Sequence, residues 1–195
     1  MWDQRYAEPE LAYGSEPNDF LRAMAVHIPP GPVLCLAEGQ GRNAVWLAEQ
    51  GREVTALDAS PVGMERARDL ARVRGVPLET TVADLATWEG PLGHWAGIVA
   101  IFAHFPAPVR ERVHRAIPGW LRPGGVLIVE AYRPEQLDRG TGGPRDPKLL
   151  YSVEQLGIDF GGLAIERLEP VDRDVHEGRY HTGSGAVVQC LARRR

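Results

Sequence analysis

The sequence predicts an α/β domain built on a doubly wound, mostly parallel β-sheet of seven strands, with an antiparallel C-terminal hairpin and an N-terminal helical lid. Five short apolar segments alternate with helical patterns, which is the arrangement of a parallel sheet covered by helices. The fourth segment, 97–102, is apolar throughout, as a strand buried on both faces is. The last two strand-like segments have no helix between them and therefore predict the hairpin.

The N-terminal segment, residues 1–30, predicts the lid. Aromatic side chains are spread among polar residues at Trp2, Tyr6 and Tyr13. Helical spacing follows Asn18, and the run 29–32, which holds three prolines and a glycine, ends that helix. We expect a short aromatic segment and a helix that lie over the mouth of the domain.

Residues 31–132 form the predicted cofactor-binding half. Strands are expected at 33–36, 53–57, 78–82, 97–102 and 126–130. Helices are expected at 44–50, 60–74 and 109–121, because apolar residues recur there at helical spacing. Ser60 before Pro61 is a typical helix start, and Gly51 is a typical helix end.

Residues 133–195 form the predicted substrate side. A loop rich in Gly, Pro and Arg, 134–148, leads to a short helix at 153–156. Strands at about 163–171 and 186–192 complete the hairpin. No linker long enough to divide domains interrupts the sequence, so residues 1–195 predict a single domain.

Composition limits the function classes. The net charge of −4 disfavours binding to bulk nucleic acid, and no apolar run approaches the roughly 20 residues of a membrane span. The N-terminus lacks the apolar core of a secretory signal, and the two cysteines, Cys35 and Cys190, fall in predicted strands as buried thiols. We expect a cytoplasmic protein with a small-molecule substrate and neither a nucleic-acid nor a membrane partner.

A glycine loop between the first strand and its helix predicts the ligand site. Gly39 and Gly41 let the backbone turn sharply and lie close to a ligand, although a lone Gly-x-Gly is common. Asp58 follows Gly39 by 19 positions, close to the spacing at which a carboxylate binds ribose hydroxyls. Asp84, after the third strand, is placed to bind an adenine amino group, with Leu85 against the ring.

Two cofactors fit this pattern. The spacing Gly39-x-Gly41-x-x-Ala44 suits a nicotinamide dinucleotide, and the same features suit S-adenosylmethionine. The chain is too short to add a separate catalytic domain after a dinucleotide half, and the edge hairpin is foreign to a plain dinucleotide fold. Both observations favour S-adenosylmethionine.

Four segments together resemble the class I S-adenosylmethionine-dependent methyltransferases, over nearly the whole chain. These are Leu36–Ala44, Val54–Ser60, Ala83–Leu85 and the Arg-Pro-Gly-Gly run at 122–125. The resemblance implies a Rossmann-like sheet, methyl transfer, and cofactor contacts from Tyr13, Glu38, Gly39, Gln40, Gly41, Arg42, Asn43, Asp58, Ala59, Ser60, Ala83, Asp84, Leu85 and Phe102.

The N-terminal patterns Trp2-Asp3-x-x-Tyr6 and Tyr13-Gly14-x-x-Pro17-Asn18 resemble the subgroup of small tellurite-resistance and thiopurine-type methyltransferases. That resemblance implies a small, often soft nucleophile as acceptor and an N-terminal segment folded over the cofactor. The first motif departs from the family, because Cys35 and Ala37 stand where the family has an acid and a glycine. We expect Glu38 to replace the missing carboxylate.

Methyl transfer from a sulfonium is an in-line displacement, so positioning of the acceptor can supply most of the catalysis. Predicted catalytic residues, all in segments that follow the fourth and fifth strands or precede the last, are His104, Tyr132, Arg133 and His181. His176 and His181 are five apart with a glycine between them, which is not a zinc-site spacing, so no metal is expected.

Two other functions fit the same residues. A nicotinamide-dependent oxidoreductase would use the same glycine loop, and a non-catalytic S-adenosylmethionine-binding protein would need no base. The segment Ala103-His104-Phe105-Pro106 lacks the motif of enzymes that methylate amino groups of nucleic-acid bases. This disfavours DNA and RNA as acceptors.

Overall fold

Seven strands and six helices make up the computed structural model, which describes residues 2–195. The strands are β1 Val33–Leu36, β2 Val54–Asp58, β3 Glu79–Val82, β4 Trp95–Ile101, β5 Leu121–Tyr132, β6 Ala164–His176 and β7 Thr182–Arg193. The α-helices are α1 Trp2–Tyr6, α2 Asp19–Met24, α3 Arg42–Glu49, α4 Pro61–Arg74, α5 Ala107–Trp120 and α6 Val153–Asp159. Short 3₁₀ turns lie at Ala25–His27, Pro134–Asp138 and Pro147–Leu149.

The strands form one mixed sheet in the order β3-β2-β1-β4-β5-β7-β6. Strands β1 to β5 are all parallel to one another, and β7 runs antiparallel to both β5 and β6. The predicted doubly wound sheet with a C-terminal hairpin is therefore confirmed. The chain order reverses between β1 and β4, which is where such sheets open a crevice for a ligand.

Alternate residues of each central strand pack on opposite faces of the sheet. In β1, Leu34 and Leu36 join a core that includes Trp120 of α5. Val33 and Cys35 face the other core, which α2, α3 and α4 cover. Both cysteines are fully buried and unpaired, as predicted, and burial raises the pKa of each thiol.

Cap residues, among them the predicted Ser60, hold two of the helices in place. The Ser60 side chain accepts a hydrogen bond from the Gly63 amide at the start of α4, and Gly75 ends that helix at a φ of +69°. Asn18 caps α2 through the Leu21 amide. Local sequence therefore sets the ends of the elements that carry the site.

The largest differences from the predicted boundaries concern β5 and the hairpin. The fifth strand, expected at 126–130, also includes the 122–125 run, where the pairing register shifts: Trp95 pairs with Leu121 and Gly97 next pairs with Val126. The hairpin is also longer than expected and leaves only 177–181 as its loop. Within residues 2–195, no helix is long and apolar enough to span a membrane.

Candidate active site

The predicted site residues lie along one edge of the sheet, at the carboxyl ends of β1 to β5. The cofactor side is defined here as the segments after β1, β2 and β3, namely residues 37–44, 58–60 and 83–85. The acceptor side is the aromatic and polar residues after β4 and β5 and before β7, namely Phe102, His104, Tyr132, Arg133 and His181. Because β7 is antiparallel to β5, its first residues lie at the same edge.

The glycine loop is tied to the end of β2. The Gly39 amide donates to Asp58 Oδ2 at 2.9 Å, and Asp58 Oδ1 accepts from the Ser60 amide at 2.8 Å. Gly41 has a φ of +90°, and a Cβ there would lie 2.6 Å from Ala67 Cβ, so only glycine fits. Burial raises the pKa of Asp58. Asp58 thus holds the loop in shape at the position where a ribose is expected.

Glu38 caps helix α3. Its Oε1 accepts from the amides of Asn43 and Ala44, both at 2.9 Å. Burial raises the pKa of Glu38 to about 7, against the hydrogen bonds and the Arg42 charge that favour ionisation. Ala37 next to it has a φ of +49°, a conformation that favours the glycine usual in this motif. Alanine in place of the glycine of the family motif therefore leaves the backbone strained at position 37.

The other polar residues of the glycine loop bind the N-terminal segment. Gln40 Oε1 accepts from the Ala12 amide at 2.8 Å, and Gln40 Nε2 donates to the Tyr6 carbonyl at 3.3 Å. Asn43 Oδ1 accepts from the Asn18 amide at 2.9 Å. The lid is thus fastened to the loop that it covers.

Helix α1 lies directly over the glycine loop. Tyr6 is buried, and a Cβ on Gly39 would be 2.7 Å from its hydroxyl oxygen. Asp3 is hydrogen-bonded to the Ser60 hydroxyl, and Arg5 donates to the Tyr13 hydroxyl at 2.8 Å. The structure therefore places helix α1 and Tyr6 over the glycine loop.

The segment after β3 is more open. Asp84 is exposed, and its Oδ1 accepts from the Ala86 amide at 2.8 Å. Leu85 is buried beside it, and the Ala83 amide donates to the Asp58 carbonyl at 3.0 Å. Ala59 is exposed in the turn after β2.

On the acceptor side, four rings form what we call the aromatic cluster: Tyr13, Phe102, Tyr132 and His181. Phe102 stacks on Tyr132 with centroids 4.5 Å apart, and His181 lies 4.6 Å from both Phe102 and Tyr13. Tyr132 Oη and His181 Nδ1 are both buried without a hydrogen-bond partner. Burial lowers the pKa of His181, assisted by the charge of Arg42, and burial also raises the pKa of Tyr132. Both side chains are uncharged at neutral pH.

His104 has both ring nitrogens engaged with backbone. Nε2 accepts from the Tyr132 amide at 3.3 Å, so the ring proton lies on Nδ1 and is donated to the Leu149 carbonyl at 2.7 Å. Burial lowers the pKa of His104 to about 4. Arg133 is ion-paired with Asp172 and, at 3.0 Å, with Glu135. The structure therefore gives both ring nitrogens of His104 and the two terminal nitrogens of Arg133 partners within the protein, whereas Arg133 Nε is buried without one.

Sequence reasoning missed a buried charge network between the two sides. Glu130 is fully buried, and Arg173 lies 2.5 Å from its carboxylate and 2.7 Å from that of Glu177. The network also contains Asn18, Arg42 and Gln189. Asn18 is 112 and 159 positions from Glu130 and Glu177, so no local pattern connects them. In the sequence, the one feature that indicates this network is Glu130, a carboxylate in the otherwise apolar segment 126–131.

No group of three or more His, Cys, Asp or Glu that could hold a metal ion occurs within residues 2–195. His176 is exposed in β6, whereas His181 is buried in the aromatic cluster.

Residues 33–125 match the model of a methyltransferase domain family. A curated relative, the 2-heptyl-1-hydroxyquinolin-4(1H)-one methyltransferase of Mycobacteroides abscessus, is 28% identical over 159 residues, which are 78% of this chain and 70% of the relative. This match favours S-adenosylmethionine over a nicotinamide dinucleotide.

Two solved structures share the fold. A protein described with the conversion of a disulfide bond into a thioacetal group in echinomycin biosynthesis has a TM-score of 0.76, with 24% identity over 92% of this chain and 83% of that one. TehB from Haemophilus influenzae has a TM-score of 0.72, with 18% identity over 91% of this chain and 62% of that one. At these identities the likeness shows the fold alone.

Proposed function

Because this chain is a class I S-adenosylmethionine-dependent methyltransferase, we propose that it methylates a small molecule that enters the site already deprotonated or as a soft nucleophile. Catalysis then consists mainly of holding the acceptor atom in line with the methyl group. An acceptor atom about 3–3.5 Å from the methyl carbon and on the S–C axis needs no base if it is already an anion or a soft nucleophile.

The observation that carries this proposal is the lack of a competent base among the acceptor-side residues described. Both nitrogens of His104 are engaged, and its pKa of about 4 makes it a weak base. His181 is buried with a lowered pKa. Arg133 cannot accept a proton. The proton of the acceptor must therefore leave before the acceptor binds.

On the cofactor side, we propose that Asp58 binds the ribose, that Asp84 and Leu85 bind the adenine, and that the glycine loop with Glu38 binds the methionine end. The strand order β3-β2-β1 puts these groups in the same order as the adenine, the ribose and the methionine end of the cofactor. The methyl group would then face β4 and the aromatic cluster. S-adenosylmethionine supplies the activated methyl group when bound.

The acceptor class includes acidic oxygen as well as sulfur, selenium and tellurium nucleophiles. The name of the relative from Mycobacteroides abscessus describes an acceptor with a hydroxyl on the nitrogen of a flat quinolone ring. An aromatic cluster on the acceptor side supports a ring-bearing acceptor of that kind. The negative net charge supports a small molecule rather than nucleic acid.

The test is transfer of labelled methyl from S-adenosylmethionine to acceptors of different acidity, for example 2-heptyl-1-hydroxyquinolin-4(1H)-one, 4-nitrothiophenol and 2-mercaptoethanol. We expect the midpoint of the pH profile of kcat/KM to move with the pKa of each acceptor. One midpoint shared by all acceptors would instead indicate a base on the enzyme and would overturn the proposal.

A second measurement separates an enzyme from a binder. S-adenosylhomocysteine at a hundred times its Kd should add about 2.7 kcal/mol to the free energy of unfolding. Such stabilisation without transfer to any acceptor would indicate a non-catalytic binding protein. Stabilisation by NAD(H) alone would contradict the cofactor assignment.

A further inference from the structure

Three unfavourable features meet in the aromatic cluster. Tyr132 Oη and His181 Nδ1 are buried without partners, and the two rings are 5.3 Å apart. Phe102, which contacts both rings, has a φ of +52°, rare for a residue with a side chain. Each feature destabilises the folded protein, and such features persist mainly at functional sites.

A second buried tyrosine shows what ordinary packing looks like in this chain. The Tyr151 hydroxyl accepts from the Phe105 amide at 2.7 Å and donates to the Ala103 carbonyl at 3.0 Å. Phenylalanine would fill the space of the Tyr132 ring without leaving a hydroxyl unpaired. The Tyr132 hydroxyl is therefore explained by a partner that the protein itself does not supply.

The backbone of a glycine-rich loop packs against the side chains of Tyr132 and His181. A Cβ on Gly142 would lie 3.3 Å from Tyr132 Oη and 3.1 Å from His181 Cδ2, and a Cβ on Gly143 would lie 2.7 Å from the Tyr132 ring. Glycine at both positions lets this loop close directly on the pair. The site is thus built from β5, the hairpin loop and the loop that follows β5.

We propose that Tyr132 and His181 together bind an in-plane oxygen of a flat aromatic acceptor, whose ring packs in the aromatic cluster. The proposal rests on the proposed methyl-transfer function and specifies its substrate class. Tyr132 Oη donates one hydrogen bond to the oxygen, and the uncharged imidazole of His181 supplies the second contact through Nδ1. An aliphatic nucleophile would leave both atoms unpaired and would bind weakly for that reason.

The experiment uses two isosteric variants, Tyr132→Phe and His181→Phe, with Tyr151→Phe as the matched control. Methyl transfer is measured to 4-nitrophenol, a flat oxygen acceptor, and to 2-mercaptoethanol, an aliphatic thiol. We expect Tyr132→Phe to raise KM for 4-nitrophenol about 10–100-fold, as loss of a hydrogen bond to a charged oxygen does. The loss for 2-mercaptoethanol should be smaller than the loss for 4-nitrophenol, and the control Tyr151→Phe should leave transfer to both acceptors within about twofold.

Stability separates recognition from structure. The Tyr132→Phe variant should keep or raise its melting temperature because the hydroxyl has no partner to lose, whereas Tyr151→Phe should lower it without changing KM for 4-nitrophenol. An unchanged KM for 4-nitrophenol in both cluster variants would overturn the proposal. So would a lower melting temperature of Tyr132→Phe with equal losses for both acceptors.

If the wild-type protein transfers methyl to neither acceptor, the proposed function fails but this inference is still tested by binding. The absorbance of 4-nitrophenolate, titrated with the S-adenosylhomocysteine complex, gives its Kd. Binding that weakens about 10–100-fold in Tyr132→Phe would support the recognition pair. Failure of the wild-type complex to bind 4-nitrophenol, 2-naphthol and 4-hydroxyquinoline would overturn it.

Discussion

The cofactor side and the acceptor side of the site are built in different ways. On the cofactor side, the carboxylates of Asp58 and Glu38 accept hydrogen bonds from nearby backbone amides. On the acceptor side, Tyr132 and His181 carry unpaired buried atoms, and neighbouring Glu130 and Arg173 are joined across distant parts of the chain. The two carboxylates of the cofactor side are satisfied by backbone amides of that side, whereas the acceptor side keeps unpaired polar atoms beside a network of distant residues.

This difference indicates which part of the site is fixed and which part sets specificity. Loops whose polar groups are already paired keep their shape without a ligand, which suits one constant cofactor. Unpaired polar groups among aromatic rings favour a ligand that pairs them and penalise one that does not. Substitutions confined to one side test whether the two sides can be changed independently.

The largest effect is expected from Arg173→Ala, which breaks the buried network on the acceptor side. The change leaves the carboxylates of Glu130 and Glu177 close together without their shared cation. Removing one partner of a buried ion pair costs about 3–5 kcal/mol of stability. Urea unfolding followed by circular dichroism measures the loss.

Arg72→Ala is the matched control, because Arg72 pairs with Asp69 on the exposed surface of α4. Its free energy of unfolding should change by less than about 1 kcal/mol. Equal losses in the two variants would mean that the buried network does not hold the hairpin to the sheet.

Asp58→Asn should act on the cofactor side alone. An amide group cannot accept from both the Gly39 and Ser60 amides, and it removes the charge expected to bind ribose. We expect the Kd for S-adenosylhomocysteine, measured by calorimetry, to rise about 10–100-fold. Asp172→Asn in β6 should leave the Kd for S-adenosylhomocysteine unchanged. A similar rise of the Kd in this variant would show that the two sides cannot be changed independently.

The same comparison explains what could be predicted from sequence. Asp58 and the glycine loop lie in one local pattern, and their spacing alone predicts a shared site. The contact of Asn18 with Glu177 depends on the packing of segments 159 positions apart, which no periodicity encodes. The sequence predicts that His104 follows β4, but its backbone partner Leu149 lies in a loop whose path the sequence does not specify.

Glu38→Gln tests the cofactor side through pH. Burial raises the pKa of Glu38 from its ordinary 4.5 to about 7, with Asp58 and Arg42 as charged neighbours. The folded state therefore holds this proton more tightly, and the contribution of Glu38 to stability falls as pH rises from 4.5 to 7. Wild type should lose stability relative to Glu38→Gln over that range, by at most about 1.4 kcal/mol per pH unit.

Saturating S-adenosylhomocysteine sharpens this test. If Glu38 contacts the ammonium group at the amino acid end of the ligand, the ligand lowers the pKa of Glu38, and the pH-dependent difference between wild type and Glu38→Gln should shrink. A difference that is the same with and without ligand would restrict Glu38 to capping α3.

The smallest effect is expected from Ala37→Gly, at the strained position of the glycine loop. A left-handed conformation at a φ of +49° costs alanine about 1–2 kcal/mol, whereas glycine adopts it freely but loses about 0.5–1 kcal/mol to the greater entropy of the unfolded chain. The net gain should be about 0.5–1 kcal/mol in urea unfolding. The same substitution inside a helix, Ala116→Gly in α5, should instead destabilise by about 1 kcal/mol. A loss in both variants would show that Ala37 stabilises the loop through contacts of its methyl group, and the strain on the cofactor side would then be offset locally rather than retained.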